Sequence, residues 1–558
     1  MSHAMPGLEA LSLDEKIGQL FLVGIPAGSE GLASFKERLG KRPFGNIILF
    51  SRNISNPSGV YRQNMLLREA VRRRSGLVPY IAVDQEGGIV ARLVEGLSPL
   101  PGAMALSAAL GGGGVSIEDV TALAAVNGSE LAALGLNLNL APVADVNINP
   151  ANPVIGVRSF GEDPDRVAAL ASAYARGLSA RGVLACAKHF PGHGDTTVDS
   201  HLGLPLVSAS RQRLDEVELV PFRRLISEGV PAIMSAHVLF PAVEPEELPA
   251  TLSAKVLTGL LRERLGFSGL IISDCLEMKA VHERYDDLAL RAFLAGADLV
   301  CISHTAALQD EAFDSIKRAV LDGRLSMARL DESIARILAA KENMAAPAAD
   351  VDTALQALRT PAALALSSRL SRASLSIMQG AAPGSSFRAS GWLAEGGCYI
   401  DMLPDNLTGV EDRALRALTV SSIIESLDAR LLCIRLPQNP NAGDIERCLA
   451  GLKDGAVVLG LYAPDKNEGQ RLLMSALASL RRERRLAIAC LSMRSPYDTA
   501  LVRKLLGEDT PVACVYEYSE GSARAAADFL HGSLDAQGRC PVRVVHPAGM
   551  NSRAAVGA

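Results

Sequence analysis

The sequence predicts an α/β protein of two domains, in which a (β/α)8 barrel precedes a smaller α/β layer domain. Three observations support this fold class. Short apolar runs alternate with longer amphipathic segments, eight such runs fall within roughly the first 330 residues, and the alternation restarts after a segment rich in alanine and proline. We therefore expect two cores in a chain of 558 residues, which is too long for one ordinary domain.

The first domain contains eight strand-like runs of almost wholly apolar residues. Ser12 and Glu15 form a capping-box pattern that opens a helix before the first run. The runs are 20–23, 46–50, 80–83, 136–140, 183–187, 232–235, 270–273 and 297–302. Strands this apolar are covered on both faces, and helices between them imply parallel pairing. A closed barrel is expected, although an open doubly wound sheet has the same alternation.

The domain boundaries are predicted from where this pattern stops and restarts. We expect the TIM-like barrel over residues 10–345, a linker over 346–362 and an αβα sandwich over 363–558. The strand-like runs of the second part are 374–377, 430–435, 456–459, 486–491 and 512–515. No cluster of chemically reactive residues comparable with that of the first domain occurs in this part of the sequence.

Composition excludes several classes of partner. A net charge of -5 and a pI of about 6.1 give no electrostatic footprint for nucleic acid or anionic lipid. No apolar run reaches the roughly 18 residues of a membrane span. The first residues lack the pattern of a signal peptide, so a cytoplasmic location is expected. The nine cysteines are scattered without a C-x-x-C pair, which favours reduced thiols over disulfides or a thiolate metal site.

Polar side chains follow several of the predicted strands. Asp84 follows the third run, Lys188 and His189 follow the fifth, His237 follows the sixth and Asp274 closes the seventh. Functional groups of a barrel gather at the carboxyl ends of its strands. We therefore expect these side chains to meet at one rim.

The stretch KHFPGHGDTTVDSH, from Lys188 to His201, holds three of the nine histidines. His189, His193 and His201 offer three ligands for zinc, but no H-E-x-x-H pattern is present and Lys188 would repel a cation. His193 lies between two glycines, and we expect it to bond only backbone groups. The alternative for the rest of the stretch is acid/base catalysis.

Asp199 and His201 are two residues apart. In an extended backbone they lie on one side, where the carboxylate accepts the imidazole N–H and fixes its tautomer. That pairing favours the protonated ring, which is then able to protonate a leaving group near neutral pH.

The same stretch resembles the signature of bacterial β-N-acetylglucosaminidases of glycoside hydrolase family 3. Five more segments agree with that family in order: LDEKIGQ at 13–19, VDQEGG at 83–88, LAPVADV at 140–146, RSFGEDP at 158–164 and ISDCLEMK at 272–279. The resemblance is strong over residues 10 to 345 and weak beyond, where the chain is similar to the family's α/β sandwich domain.

The resemblance implies roles for particular residues. Asp274 would be the nucleophile of a covalent glycosyl-enzyme, and His201, oriented by Asp199, the acid and then the base. The residues that would bind the hydroxyls of the terminal sugar are Asp84, Arg158, Lys188 and His189. Neither a metal nor an organic cofactor is implied. Asp145 is either structural or part of the pocket, and His237 faces the site or is a satisfied core histidine. Cys275, next to the nucleophile, departs from many relatives.

The predicted activity is that of a retaining exo-β-N-acetylglucosaminidase that removes terminal GlcNAc from a small glycan, such as a muropeptide. Phosphate in place of water would make it a phosphorylase, because a neutral imidazole repels a phosphate dianion less than a carboxylate does. A β-glucosidase, or a sugar-binding protein without turnover, is a further alternative. The predicted partner is a GlcNAc-containing oligosaccharide or muropeptide, and the oligomeric state, including a homodimer, stays open.

Overall fold

The computed structural model describes residues 6–199, 203–378, 390–404 and 418–544. Eight parallel strands form a closed barrel, as the sequence predicts. We number them β1 to β8: Phe21–Gly24, Asn46–Leu49, Ile81–Val83, Leu138–Asn139, Leu184–Phe190, Ala232–Ser235, Leu270–Cys275 and Leu299–Ile302. Each pairs with the next strand in the sequence, and β8 returns to pair with β1. The open-sheet alternative is therefore wrong.

Helices surround the barrel and separate its strands. Ser12 and Glu15 form the expected capping box of the first helix. The helices are Leu13–Gln19, Gly28–Lys41, Pro57–Ser75, Ala103–Gly111, Ile117–Ala133, Pro164–Ser179, Arg211–Glu216, Leu219–Ser227, the wide-turn helix Lys255–Arg264, Lys279–His282, Leu288–Ala295, Ala306–Leu321 and Met327–Lys341. Between them and the strands lies one hydrophobic core, since almost every strand residue is buried.

A second sheet of six strands forms the core of the remaining chain. In chain order its strands, β9 to β14, are Ser376–Met378, Cys398–Leu403, Leu432–Pro437, Gly455–Leu461, Leu486–Ser492 and Val512–Cys514. Their order in the sheet is β9, β14, β13, β12, β10 and β11, with only the β9–β14 pair antiparallel. Its helices are Val420–Leu427, Ala442–Gly451, Glu468–Glu483, Asp498–Leu506 and Glu520–His531.

Strand β10 has no counterpart among the predicted strands. Its apolar run is interrupted by Asp401, a residue type that is rare in a central strand. The structure buries this carboxylate, which accepts a 3.0 Å hydrogen bond from the backbone N–H of Ser421. A buried polar group that has a hydrogen-bond partner is tolerated. The partner of Asp401 lies outside the strand, so the sequence of the strand does not reveal it.

The segment that was predicted as a linker, residues 346–362, packs on the barrel. It contains helix Val351–Gln356, whose Ala354 belongs to the barrel core together with Leu358. Helix Pro361–Ser374 follows and contacts helices Ala103–Gly111 and Glu520–His531. The connection between the two parts therefore adds to the packing.

The two parts also meet through hydrogen bonds. Glu517, which follows β14, accepts a hydrogen bond from the backbone N–H of Gly102 in the barrel. The backbone N–H of Arg539 donates to the carbonyl of Ala108 at 2.9 Å. Over the described ranges, no helix has both the length and the apolar character needed to cross a lipid bilayer.

Candidate active site

A cavity of about 280 Å³ opens at the carboxyl ends of the barrel strands. Its wall includes five of the residues predicted for the site: Asp84, Arg158, Lys188, His189 and Asp274. Asp84 directly follows β3, Lys188 and His189 lie within β5, and Asp274 lies near the end of β7. The expectation that Lys188 and His189 follow their strand is wrong, because the pairing continues through Phe190, with a register shift against β6.

Lys188 joins two carboxylates at the cavity wall. Its Nζ lies 2.8 Å from Oδ1 of Asp84 and 2.7 Å from Oε1 of Glu86. Glu86 in turn accepts two hydrogen bonds from Arg158, one from Nε at 2.9 Å and one from Nη2 at 2.8 Å. The guanidinium and the ammonium are thereby fixed in position, with their charges largely balanced.

Electrostatics keeps this group fully ionised. Burial alone would raise the pKa of Asp84 and of Glu86, but the nearby cations outweigh it and hold both pKa values below their ordinary range. Burial likewise opposes the charge of Lys188, yet the two carboxylates raise its pKa above the ordinary value. The network therefore presents charged donors and acceptors to the cavity at every pH near neutral.

Asp145 lies behind the cavity and holds two histidines. Its Oδ2 is 2.7 Å from Nδ1 of His189, and its Oδ1 accepts the backbone N–H groups of His189 at 3.2 Å and His193 at 2.7 Å. Asp145 is fully buried and is not among the residues that line the cavity. Of the two roles left open for it, the structure favours the structural one, in which it sets the orientation of the His189 ring.

His193 does more than the expected bonding to backbone groups. Its ring lines the cavity, packs edge-on against His189 at 5.8 Å between centroids, and places Nδ1 2.9 Å from the hydroxyl of Thr196. Burial, followed by the effect of His189, lowers its pKa to about 4, so the ring is neutral at neutral pH. The neighbouring glycines are compatible with any loop, so the motif did not indicate that this ring lies in the cavity wall.

Asp274 projects from the end of β7 into the cavity. Its Oδ1 accepts a 2.7 Å hydrogen bond from the backbone N–H of Cys275, which restricts rotation of the carboxylate. His237 is buried behind this point, with Nε2 2.9 Å from the carbonyl oxygen of Cys275 and Nδ1 2.9 Å from Thr251. It is thus a satisfied core histidine that holds the backbone beside Asp274.

The mouth of the cavity is formed by Phe50 and His304, whose rings lie 5.0 Å apart. Arg52 covers the Phe50 ring at 4.7 Å and contacts Nδ1 of His304 at 3.0 Å. Glu277 accepts the backbone N–H groups of His304 and Thr305. An aromatic surface with polar neighbours is suited to the face of a sugar ring at the entrance.

Of the predicted acid/base pair, the structure describes Asp199 but not His201. Asp199 is buried but is not among the residues that line the cavity. His201 lies outside the residues that the structure describes, so the proposed pairing stays a prediction. Across the four described ranges, no group of three or more His, Cys, Asp or Glu side chains is arranged to hold a metal ion.

Sequence reasoning missed Glu86 and Arg92. Arg92 lines the cavity and lies 3.5 Å from Asp84, while Glu86 joins Lys188 to Arg158. Glu86 was quoted within the segment VDQEGG, but nothing in a single sequence separates it from a surface acid. A buried hairpin of strands Gln85–Gly87 and Val90–Ala91 holds these residues beside β3.

One side chain of the second sheet's domain reaches the loop beneath the site. The hydroxyl of Tyr497 accepts a 2.9 Å hydrogen bond from the side-chain amide of Asn147, which lies two residues after Asp145. The carbonyl of Val146, between them, leaves space only for the hydrogen of Gly194, since a Cβ there would approach the oxygen to 1.9 Å. The second domain thus contacts the loop that supports His189 and His193.

Comparison with known proteins agrees with this geometry. The model of the glycosyl hydrolase family 3 N-terminal domain matches residues 12–340. Beta-hexosaminidase A of Pseudoalteromonas piscicida is 34% identical over 360 residues, 61% of this chain and 60% of that protein's length. Beta-hexosaminidase of Stenotrophomonas maltophilia (strain R551-3) is 37% identical over 304 residues, 53% of this chain and 87% of its own.

A solved structure extends the similarity over both parts of the chain. The glycoside hydrolase family 3 beta-N-acetylglucosaminidase from Paenibacillus sp. str. FPU-7 superposes with a TM-score of 0.85 at 34% identity, covering 96% of this chain and 100% of that one. The family match spans more than half of the sequence and coincides with the barrel that carries the cavity. The chain belongs to glycosyl hydrolase family 3, the family that its motifs predicted.

Proposed function

We propose that this protein is a retaining exo-β-N-acetylglucosaminidase that releases terminal GlcNAc from small glycans. The observation that carries the proposal is one cavity in which a carboxylate at a strand end, Asp274, faces a fixed set of charged and polar groups. The relatives named beta-hexosaminidase and the similar beta-N-acetylglucosaminidase support the choice of sugar. The cavity's volume of about 280 Å³ suits one terminal sugar better than a chain that passes through.

In the proposed reaction, Asp84, Lys188, Arg158 and His189 orient the hydroxyl groups of the terminal sugar. Each is held by a partner before substrate arrives, so little rotational freedom is lost on binding. Charge-assisted hydrogen bonds from these groups fix a neutral polyol more firmly than neutral ones would. The sugar's anomeric carbon is thereby placed against Asp274.

Asp274 acts as the nucleophile and forms a covalent glycosyl-enzyme, which water then hydrolyses with retention. The hydrogen bond from Cys275 N–H orients the carboxylate of Asp274 for attack. His201, positioned by Asp199, protonates the leaving oxygen and afterwards, as the neutral ring, accepts a proton from water. This assignment of the pair rests on the motif.

The natural substrate in this proposal is a muropeptide or a similar GlcNAc-terminated fragment, and the location is cytoplasmic. The barrel domain, linker and sandwich domain are proposed to span 10–345, 346–362 and 363–558. Cell fractionation tests the location, and limited proteolysis with mass determination of the fragments tests the boundaries.

The initial rate of p-nitrophenol release from p-nitrophenyl β-GlcNAc, measured with a chelator present, tests the activity. We expect turnover that exceeds that on the matching β-glucoside. Asp274→Asn should lower kcat by about 1,000-fold or more, since the amide is not a nucleophile. Asp165→Asn, an exposed acid on the barrel surface, is the control and should keep full activity.

Two outcomes would change the assignment. A strong rise in rate with phosphate, and GlcNAc-1-phosphate as the product, would make the protein a phosphorylase. Binding of GlcNAc without turnover, unaffected by Asp274→Asn, would point to a sugar-binding protein.

A further inference from the structure

Two cysteines line the cavity on neighbouring strands. Cys275 is the last residue of β7, and Cys301 lies in the neighbouring strand β8. After an irregularity in the pairing at Leu299, their Cα atoms are direct partners across the two strands. Neighbouring strands lie about 4.8 Å apart, which falls within the Cα separation of about 4.4–6.8 Å that a disulfide spans.

The side chains of these two residues also line the same cavity, and each thiol shifts the pKa of the other. Sγ of Cys301 lies 3.3 Å from the hydroxyl of Ser303. Both cysteines line the cavity, and Cys275 is partly exposed. All nine cysteines fall in the described part of the chain, and the other seven do not line this cavity. A small oxidant that enters the site therefore meets this pair.

The environment gives the two thiols different pKa values. The neighbouring Cys301 side chain outweighs burial and lowers the pKa of Cys275, whereas Cys275 and burial raise the pKa of Cys301. Cys275, whose sulfur is the more exposed, is therefore the better nucleophile. Cys301, whose sulfur is buried, is placed to attack the sulfenic acid that oxidation forms on Cys275.

We propose that Cys275 and Cys301 form a reversible disulfide that switches the active site off. Hydrogen peroxide is the oxidant. The Cys275 thiolate attacks one of its oxygens, the O–O bond breaks, and the hydroxide that leaves takes up a proton and becomes water. The Cys301 sulfur then attacks the sulfenic sulfur of Cys275, and the S–O bond breaks with release of a second water. Each disulfide thus consumes one hydrogen peroxide and two thiol protons, and a dithiol reverses the reaction.

Disulfide formation affects the site through Asp274. The backbone N–H of Cys275 holds Oδ1 of Asp274, and the carbonyl of Cys275 is held by His237. Forming a covalent bond between the two sulfur atoms turns the Cys275 side chain and pulls the end of β7 toward β8. Because the carboxylate must meet an anomeric carbon within a fraction of an ångström, displacement should cost about 100-fold in rate.

Peptide mass analysis of the full-length protein after hydrogen peroxide treatment tests the bond itself. We expect a product about 2 Da lighter, in which the peptides that contain Cys275 and Cys301 are joined. Dithiothreitol should separate them. An absent cross-link, or oxygen addition at Cys275 that dithiothreitol does not reverse, would overturn the proposal.

Activity measured on the same samples tests the switch. The rate of the wild type should fall by about 100-fold after oxidation and recover with dithiothreitol. Cys275→Ser and Cys301→Ser are each compared with their own untreated sample, and each should lose less than threefold. Cys433→Ser, a partly buried cysteine of the second sheet, is the control and should respond like the wild type. A cross-linked protein with full activity would overturn the switch.

The activity measurement rests on the proposed function, whereas the cross-link does not. If the reduced protein shows no turnover of GlcNAc substrates, the proposed function fails, and the joined peptide still decides whether the disulfide forms.

Discussion

Glu86 and Arg158 form a two-point ion pair, with contacts of 2.9 and 2.8 Å, behind the cavity wall. Glu86 also holds Lys188 at 2.7 Å, so one carboxylate that does not line the cavity positions two cations that do. The sugar-binding wall is therefore determined by a residue outside it.

Glu86→Gln should loosen both cations. We expect KM for p-nitrophenyl β-GlcNAc to rise about tenfold, with a smaller change in kcat, because orientation of the sugar hydroxyls is lost. The unfolding free energy should fall by about 3 kcal/mol, since two buried cations lose a charged partner. Steady-state kinetics and urea unfolding measure these effects. Glu244→Gln, a buried carboxylate paired with Lys255, is the control; if it raises KM equally, the specific role of Glu86 is wrong.

Asp145→Asn should reverse the tautomer of His189. The carboxylate favours a proton on Nδ1, whereas the amide Nδ2 would donate to that nitrogen and move the proton to Nε2. We expect kcat/KM to fall about 100-fold or more, and nitrogen NMR of the imidazole to show the exchange of protonated sites. Asp401→Asn replaces a buried carboxylate in the second domain and should leave both readouts unchanged. An unaltered His189 signal in Asp145→Asn would contradict the assignment.

Tyr497→Phe tests whether the second domain affects the site. Loss of the hydroxyl breaks the bond to Asn147 and should cost about 1 kcal/mol of unfolding free energy. Because Asn147 lies on the loop that supports His189 and His193, we also expect kcat/KM to fall several-fold. Tyr61→Phe removes a hydroxyl that bonds the carbonyl of Ala348 at 2.9 Å. The Tyr61→Phe control should lose a similar unfolding free energy and keep its activity. If the two variants lose activity equally, both substitutions act only through stability.

Glu517 should make the contact between the two parts of the chain sensitive to pH. Burial raises its pKa to about 7 from an ordinary 4.5, so the folded state keeps a proton that the unfolded state releases. Stability must then fall as pH rises from about 4.5 to 7 and stay lower above that, by about 3 kcal/mol from this group. Glu517→Gln should retain the bonds to Gly102 and Ser519 and show a flatter curve of Tm against pH.

A fall in Tm should persist in that variant, because burial also raises the pKa of Asp498 to about 7. Glu520→Gln, at the same interface, is the matched control and should follow the wild-type curve. A Glu517→Gln curve that coincides with the wild type would show that this carboxyl is ionised in the folded protein.

The sequence predicted the barrel because its strands are buried on both faces. A run such as Ala232–Ser235 is apolar in its first three residues and buried throughout, and the structure reproduces those bounds. Strand β10 escaped prediction because Asp401 breaks its pattern, and its partner Ser421 is distant along the chain. Periodicity reports the average environment of a segment and carries no information about a single satisfied polar group.

What the sequence determined by itself was the family, the alternation of buried strands with helices and the residues at the strand ends, because each depends on local order along the chain. Asp274 and the Lys188–His189 pair were identified from their motifs and their positions after apolar runs. Tertiary structure alone decided which of these side chains have partners. Glu86 against Arg158, Asp145 against His189, and Cys275 against Cys301 are separated by 72, 44 and 26 positions. Only the pairing of neighbouring strands and the packing of the loops that follow them bring such residues together, so that charge, burial and hydrogen bonding set their chemistry.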